Sequence, residues 1–347
     1  MASRLNVLIV VTSTDRRGAE VEGSQLAEEL RLRGHGAECV ALAPGGSGGL
    51  AVEALGPTAR SPRTLRELRR RARGTDLVMA YGSSTLPACV IALLGTRVPF
   101  IYRSIGDPAQ WVRGGWHRRR TGWLFRRAAL VVALWPAAAT AISRLYRVPA
   151  ERLVCVANAR PLPAADEPDR AVARSRCGLP DDVLVVVWAG ALTEEKQPLL
   201  AVSAVAAVPE AWLVMAGDGP LRPDVEAACR AQLAGRYRLT GAVASLVPLW
   251  AAADVALLTS RTEGMPGVLI EARLRGVPGV ATDVGAVREV VGERGAVVSA
   301  EAVPVEVAAA IERVAFGPGP VADPGAARFT WPVVVAEWER LLARWER

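Results

Sequence analysis

Two glutamates in one short segment have the residue type and spacing to hold a ligand. The segment LLTSRTEGMPGVLIEARLRGVPGVATDVG spans Leu257–Gly285. Glu263 follows an apolar run of strand length and lies in a predicted loop beside Gly264 and Pro266. Glu271 comes later, on a predicted helix, about 12 Å further along if the helix is regular. A carboxylate accepts hydrogen bonds from hydroxyl groups, so each position can hold one end of a hydroxylated molecule.

The loop between the two carboxylates leads into a predicted helix N-terminus. Free backbone N–H groups and the helix dipole make such an end a binding place for anions. Two hydroxyl-binding carboxylates on either side of an anion site suit a ligand such as a nucleotide diphosphate sugar. The residues alone leave one alternative open, which is a pair of solvent-facing glutamates without a ligand.

Several other chemistries lack the residues that they need. The loop after the first predicted strand, TSTDRRGAE, contains only Gly18 and no GxGxxG fingerprint. GDGP (Gly217–Pro220) lacks the third glycine of that fingerprint and equally fits a tight turn. The chain has no GxxxxGK[ST] loop and no GxSxG elbow. His35 and His117 are its only histidines, which argues against a His-based zinc site. Five scattered cysteines without CxxC spacing predict reduced, buried thiols.

Apolar strands that alternate with helices must position these residues. From LNVLIVVTS onwards, runs of strand length are apolar on both faces, which is typical of parallel sheets. The predicted elements include the strands Leu77–Tyr81 and Phe100–Arg103 and a helix at about Val268–Arg275. The proline-rich and acidic stretch NARPLPAADEPDR predicts a linker between two such series. We therefore predict an α/β fold of two Rossmann-like domains facing across a cleft, with the ligand there. The predicted domains are residues 1–160, on which a final helix at 331–347 packs, and residues 161–330.

Charge is divided unequally between the two halves. Residues 1–160 hold 24 arginines and 11 acidic residues, a net charge of +13. Residues 161–347 hold 18 basic and 24 acidic residues, a net charge of −6. The basic runs Arg60–Gly74 and Trp111–Arg127 could meet an anionic membrane surface, an acidic substrate or nucleic acid. The alternative is a solvated face with the interleaved tryptophans in the core; these are Trp111, Trp116 and Trp123.

The sequence predicts a cytoplasmic protein, with the inner face of the membrane as an alternative location. We recognise no signal peptide at its N-terminus. It also lacks a run of about 18 uncharged apolar residues of the kind that spans a bilayer.

The second half of the chain resembles a known family. AGALTEEKQPLLA, LVMAGDGP, YRLTGAV and LWAAADVALLTSRTEGMPGVLIEARLRGVPGVATDVGAVREVV follow the order and spacing of the donor domain of family 4 retaining glycosyltransferases, over about 110 residues. The resemblance continues weakly through RGAE, ANA at Asn158 and FTWPVVVAEWERL. It implies the GT-B fold, a nucleotide-sugar donor as substrate, and neither a metal nor a cofactor.

The resemblance assigns roles to individual residues. Glu271 matches the glutamate that holds the ribose hydroxyls, and Glu263 matches the glutamate near the transferred sugar. Lys196 matches a lysine on the diphosphate. It is the only lysine among 42 basic residues, and its compact ammonium is not interchangeable with a guanidinium. Lys196 and Glu263 are the predicted catalytic residues. The donor-binding set is completed by Gly18, Thr240, Gly241, Val243, Gly264, Met265, Gly267 and Val268.

Two positions depart from the family pattern. Ala191 stands where the family usually has an arginine, five residues before the lysine. A histidine that many members carry near the end of FIYRSIGD is absent here. Another residue would have to replace each contact. The candidate acceptor or phosphate contacts are Arg16, Arg103, Asp107, Asn158 and Arg261.

The resemblance implies a glycosyltransferase that moves a sugar from a nucleotide donor, UDP-linked by expectation, with retention at the anomeric carbon. The acceptor is unidentified, either lipid-linked or small and soluble. Two rivals stay open. The departures favour a non-catalytic nucleotide-sugar-binding subunit, and the shared fold allows a nucleotide-sugar epimerase, which the scarcity of histidines disfavours. A nucleic-acid-binding module rests on the basic half alone, and we do not favour it; its binding would fall steeply with salt.

Overall fold

The structure is a computed structural model that describes residues 4–46, 49–109, 114–317 and 323–346. The described residues form two compact units. The first comprises those up to residue 159 together with those from 331 onwards, and the second comprises those between 160 and 330. Each unit has its own parallel sheet and its own hydrophobic core.

The described part of the first unit contains one seven-stranded sheet. Its strands are β1 (Asn6–Ser13), β2 (Gly36–Ala43), β3 (Glu53–Ala54), β4 (Leu77–Tyr81), β5 (Phe100–Arg103), β6 (Leu130–Ala133) and β7 (Leu153–Cys155). They lie in the order β3-β2-β1-β4-β5-β6-β7, and all neighbours run parallel. The helices are α1 (Gly18–Leu32), α2 (Pro62–Ala72), α3 (Thr85–Ala92), α4 (Gly115–Phe125), α5 (Pro136–Tyr146) and, near the end of the chain, α13 (Trp331–Leu342).

The core of the first unit explains why its strands are apolar on both faces. All five residues of β4 are buried, as expected for a strand covered by helices on both sides. Helix α13 contributes Trp331, Val334 and Trp338 to the same cluster as Ile9 of β1 and Leu26 of α1. Their spacing of three and four residues puts these side chains on one helix face, which packs on the rest of the unit.

The described part of the second unit contains a six-stranded sheet. Its strands are β8 (Val185–Ala189), β9 (Trp212–Ala216), β10 (Tyr237–Gly241), β11 (Val255–Leu258), β12 (Gly279–Thr282) and β13 (Ala296–Val298). They lie in the order β10-β9-β8-β11-β12-β13, all parallel. The helices are α6 (Arg170–Cys177), α7 (Pro198–Ala206), α8 (Arg222–Gln232), α9 (Val247–Ala252), α10 (Gly267–Leu274), α11 (Val287–Val291) and α12 (Pro304–Ala315).

The predicted fold class, a pair of Rossmann-like α/β domains, is confirmed. In each sheet the chain first builds outward to one side and then continues on the other side of its first strand. This reversal falls between β1 and β4 in the first unit and between β8 and β11 in the second. Open parallel sheets bind ligands at such switch points, outside the carboxyl ends of the strands.

Among the described residues, none of the five cysteines is joined to another by a disulfide. Cys39, Cys89 and Cys229 are buried as predicted, and burial raises the pKa of the Cys39 thiol to about 12. Cys155 is exposed and Cys177 is half-buried. The prediction of buried thiols is therefore wrong for these two residues, which lie at a short strand end and a helix end.

Trp116 and Trp123, in the basic run that includes α4, are exposed. Trp116 is 68% exposed and Trp123 is 49% exposed, so the alternative that places them in the core is wrong. The guanidinium groups of Arg120 and Arg127 lie over these rings at 5.5 Å and 5.2 Å from the centroids. Trp111 lies outside the described residues. Within the described ranges, every helix is too short or too polar to cross a bilayer.

Candidate functional site

The second unit places Lys196 and Glu263 together at its topological switch point. The loop after β8 carries Lys196 in a short 3₁₀ turn, Glu194–Lys196. The loop after β11 carries Glu263, and β8 and β11 are paired neighbours. The Lys196 Nζ donates to Glu263 Oε1 at 2.6 Å. Strand order therefore brings a cation and a carboxylate from distant loops to one point at the edge where such sheets bind ligands.

The backbone at Lys196 is held by a buried threonine. The Thr259 hydroxyl lies 3.0 Å from the carbonyl oxygen of Lys196 and 2.9 Å from that of Gln197, and it donates to them. It also accepts a hydrogen bond from Trp188 Nε1 at 3.0 Å. Because Trp188 and Thr259 belong to the β8 and β11 segments, the 3₁₀ turn is fixed to the sheet. The backbone from which the Lys196 side chain extends is thus held by a rigid element.

The loop that carries Glu263 is fixed by its neighbours. The Ser260 hydroxyl donates to Glu263 Oε1 at 2.7 Å, and the Ala286 N–H donates to the Gly264 carbonyl at 2.8 Å. Gly285 has a φ of +55°, and a Cβ at this position would overlap the carbonyls of Glu263 and Gly264. Only glycine allows this approach without strain, which gives a physical reason for the final glycine of GVATDVG.

Glu271 is paired with an arginine that the sequence analysis did not single out. The Arg160 Nε donates to Glu271 Oε1 at 2.9 Å, and the two side chains are 10% and 26% exposed. The Arg160 backbone N–H donates to the Phe329 carbonyl at 2.8 Å, which fixes the start of the unit. The sequence contains only one signal for this residue, an arginine directly after ANA. No local pattern links it to a helix more than a hundred residues away.

The remaining donor-site candidates of this unit lie in two places. Gly267 and Val268 begin α10, and Met265 is buried in the loop before it. Thr240 and Gly241 end β10, and the exposed Val243 follows them. Since β9 separates β10 from β8, these last three residues are on an outer strand and its loop. Their contact with a base stays a prediction.

In the first unit, the arginine at the end of β5 is a buried structural group. Arg103 is 1% exposed, and its Nη2 donates to Glu22 at 2.7 Å and to the Asn158 side-chain oxygen at 3.0 Å. It also donates to the backbone carbonyls of Val156 and Ala157. The guanidinium thus joins β5, α1 and the segment after β7. That Arg103 or Asn158 contacts an acceptor or a phosphate stays a prediction.

Three other candidates of the first unit lie near the ends of β1 and β5. Arg16 is exposed in the loop after β1, and Gly18 is the exposed first residue of α1. Glu20 lies two residues after Gly18 in α1, and burial raises the pKa of its carboxyl. Asp107 accepts a hydrogen bond from the Ala109 N–H at 2.9 Å in the loop after β5.

Arg261, the last candidate, belongs to the second unit. Its side chain is exposed, and its backbone N–H donates to the Glu195 carbonyl at 2.8 Å. This bond joins the loop of Glu263 to the 3₁₀ turn of Lys196.

Both units match families of sugar-transferring enzymes. Residues 16–162 match the model described as Glycosyltransferase Family 4, and residues 183–315 match Glycosyl transferases group 1. Two proteins of Streptomyces kanamyceticus are 33% identical: a 2-deoxystreptamine glucosyltransferase over 57% of this chain and an alpha-D-kanosaminyltransferase over 56%. The chain spans about half the length of these relatives, 54% and 53%.

Solved structures share the whole architecture. Anabaena HepE in complex with UDP-glucose superposes with a TM-score of 0.82 at 20% identity, covering 98% of this chain and all of that one. Sucrose-phosphate synthase from Thermosynechococcus elongatus gives 0.80 at 19% identity, covering 98% and 99%. Each unit thus matches a glycosyltransferase family model, and the two parallel-sheet α/β units match the GT-B fold of these solved structures.

Proposed function

We propose that this protein transfers a glycosyl group from a nucleoside diphosphate sugar, with UDP as the first candidate, to a hydroxyl acceptor with retention. The observation that carries the proposal is the Lys196–Glu263 pair, 2.6 Å apart at the switch point of the second unit. The names of the two Streptomyces relatives support sugar transfer, and the UDP-glucose complex of HepE supports a sugar nucleotide as donor.

In this proposal the chemistry depends on charge placement. Lys196 and the N-terminal N–H groups of α10 stabilise the charge that develops on the departing diphosphate. Glu263 orients hydroxyls of the transferred sugar, and Glu271 holds the ribose. The incoming hydroxyl attacks on the face that the diphosphate leaves, and its proton passes to a leaving phosphate oxygen. The scheme uses no protein nucleophile and routes no step through a metal ion.

We favour a small hydroxylated acceptor. One relative that matches across more than half of this chain is named for an acceptor of this kind, 2-deoxystreptamine. The lipopolysaccharide core and teichuronic acid transferases that also match cover only about a third of it. A lipid-linked acceptor stays the second candidate.

Product analysis distinguishes this function from its rivals. The protein is incubated with UDP-sugars and a panel of aminocyclitol and lipid-linked acceptors, with and without EDTA. Transfer that survives EDTA supports the scheme. A changed sugar nucleotide without an acceptor indicates an epimerase, and nucleotide binding without any product indicates a binding subunit.

Replacing Glu271 with alanine is expected to weaken UDP binding by about 10- to 100-fold. A hydrogen bond to a charged group contributes about 1.5–3 kcal/mol, and the carboxylate is proposed to accept from the ribose. Isothermal calorimetry with UDP measures the effect. Glu289→Ala is the control, because Glu289 pairs with Arg328 elsewhere in the same unit. Unchanged affinity in folded Glu271→Ala would refute the ribose contact.

The first unit is proposed to bind an anionic membrane surface through its basic runs. The support is the +13 charge of residues 1–160 and the exposed Trp116 and Trp123, since indole rings favour the headgroup layer. We expect sedimentation with anionic but not neutral liposomes, reversed by salt. The Trp116→Ala/Trp123→Ala variant should sediment less. If the protein does not sediment with anionic liposomes at low salt, the proposed binding to a membrane surface is contradicted.

A further inference from the structure

The side chain of a buried arginine lies against the N-terminal turn of α10. Arg160 is 8% exposed, and its Nε donates to Glu271 at 2.9 Å. Its Nη2 lies where a side chain of Gly267, the first residue of the helix, would be: a Cβ there would overlap the guanidinium. The glycine therefore leaves the space in which the arginine lies against the helix end.

The position is electrostatically unusual for a cation. The N-terminus of a helix carries a partial positive charge, which favours anions and disfavours a guanidinium. Helix α10 has no acidic residue in its first turn, and Pro266 supplies no side-chain cap. Glu271 balances the charge of Arg160 but not the positive end of the helix. An anion that binds beside Gly267 would therefore interact favourably with both the helix end and the guanidinium.

We propose, resting on the proposed function, that Arg160 belongs to the donor site and has two tasks. Its guanidinium holds Glu271 in position for the ribose, and it adds positive charge where the diphosphate meets α10. A guanidinium suits both tasks, because it offers five N–H donors in a planar fork that matches carboxylate and phosphate oxygens. Its backbone bond to Phe329 places it independently of the loop that carries Lys196.

Calorimetry on charge-changing variants tests this assignment with UDP, GDP, TDP and inorganic pyrophosphate as probes. Arg160→Met keeps the apolar stem and removes the charge, and we expect UDP and pyrophosphate to bind about 10- to 100-fold more weakly. Arg160→Lys keeps the charge and should recover part of the pyrophosphate affinity. Because Arg160→Met leaves Glu271 unpaired, the double variant Arg160→Met/Glu271→Gln provides a neutral pair of similar shape that should fold.

Arg275 provides a matched control on the same helix. It pairs with Glu167 at 2.6 Å, and the two side chains are 9% and 17% exposed, similar to the Arg160–Glu271 pair. Arg275→Met should lower thermal stability without weakening pyrophosphate binding. Equal pyrophosphate affinity in wild type and Arg160→Met, or an equal loss in Arg275→Met, overturns the assignment.

The probes separate the two proposals. If the wild type binds pyrophosphate but no nucleoside diphosphate, the proposed nucleotide-sugar donor is contradicted. The role of Arg160 in anion binding is still tested by the pyrophosphate affinities of the variants. A wild-type protein that binds neither pyrophosphate nor any of the three nucleoside diphosphates contradicts both proposals. Binding of UDP that depends on Arg160 but not on Arg275 supports both.

Discussion

Replacing Lys196 with methionine is expected to lower kcat/KM for glycosyl transfer by about 10²- to 10³-fold. This is the usual loss when one group that stabilises developing charge is removed from a reaction site. The expectation rests on the position of the ammonium, 2.6 Å from Glu263 and fixed through Thr259 to the end of β11. Initial rates with a UDP-sugar and the acceptor found by product analysis measure the effect.

Two companion variants show whether the charge or the fold is responsible. Lys196→Arg keeps the charge but changes its shape, and we expect it to recover only part of the activity. Lys196→Met/Glu263→Gln removes both charges, so its stability should be close to that of the wild type while its activity stays low. A Lys196→Met protein with more than about a third of wild-type kcat/KM would contradict the proposed role of this lysine.

Replacing Arg103 with methionine is expected to destabilise the first unit by about 3–5 kcal/mol. Removing one partner of a buried ion pair takes away the opposite charge that the other partner faces in a low-dielectric environment. Here the Glu22 carboxylate would lose the Arg103 guanidinium, and the pair is almost fully buried, with side chains 1% and 4% exposed. The change also removes donors from the carbonyls of Val156 and Ala157. Urea unfolding of the variant and the wild type measures the difference.

An exposed ion pair provides the comparison. Arg288 and Asp283 lie 2.7 Å apart with side chains 72% and 38% exposed, and Arg288→Ala should leave the free energy of unfolding close to that of the wild type, because solvent screens an exposed pair. Arg103→Met/Glu22→Gln should be more stable than Arg103→Met alone, because it removes the buried carboxylate that has lost the guanidinium. If the free energy of unfolding of Arg103→Met is no lower than that of Arg288→Ala, the buried Arg103–Glu22 pair does not stabilise the first unit.

Much of the fold could be predicted because local patterns specify it. The predicted strands Leu77–Tyr81 and Phe100–Arg103 agree with β4 and β5 at both ends, since continuous apolar runs bounded by turn residues mark buried parallel strands. The helix that carries Glu271 begins at Gly267, one residue before the predicted start at Val268, and Pro266 occupies the N-cap position. The two-residue strand β3 was not predicted, as it is too short to have a pattern.

By itself, the sequence determined two parallel α/β units, a loop that carries Glu263 and a helix that carries Glu271. Only the tertiary structure decided which side chains meet. Lys196 and Glu263 are 67 residues apart, and Arg160 and Glu271 are 111 apart. Periodicity reports which face of a strand or helix is buried, but it does not encode strand order. Strand order, with β8 beside β11, puts the lysine beside the glutamate, and the segment that enters the second unit puts an arginine on α10.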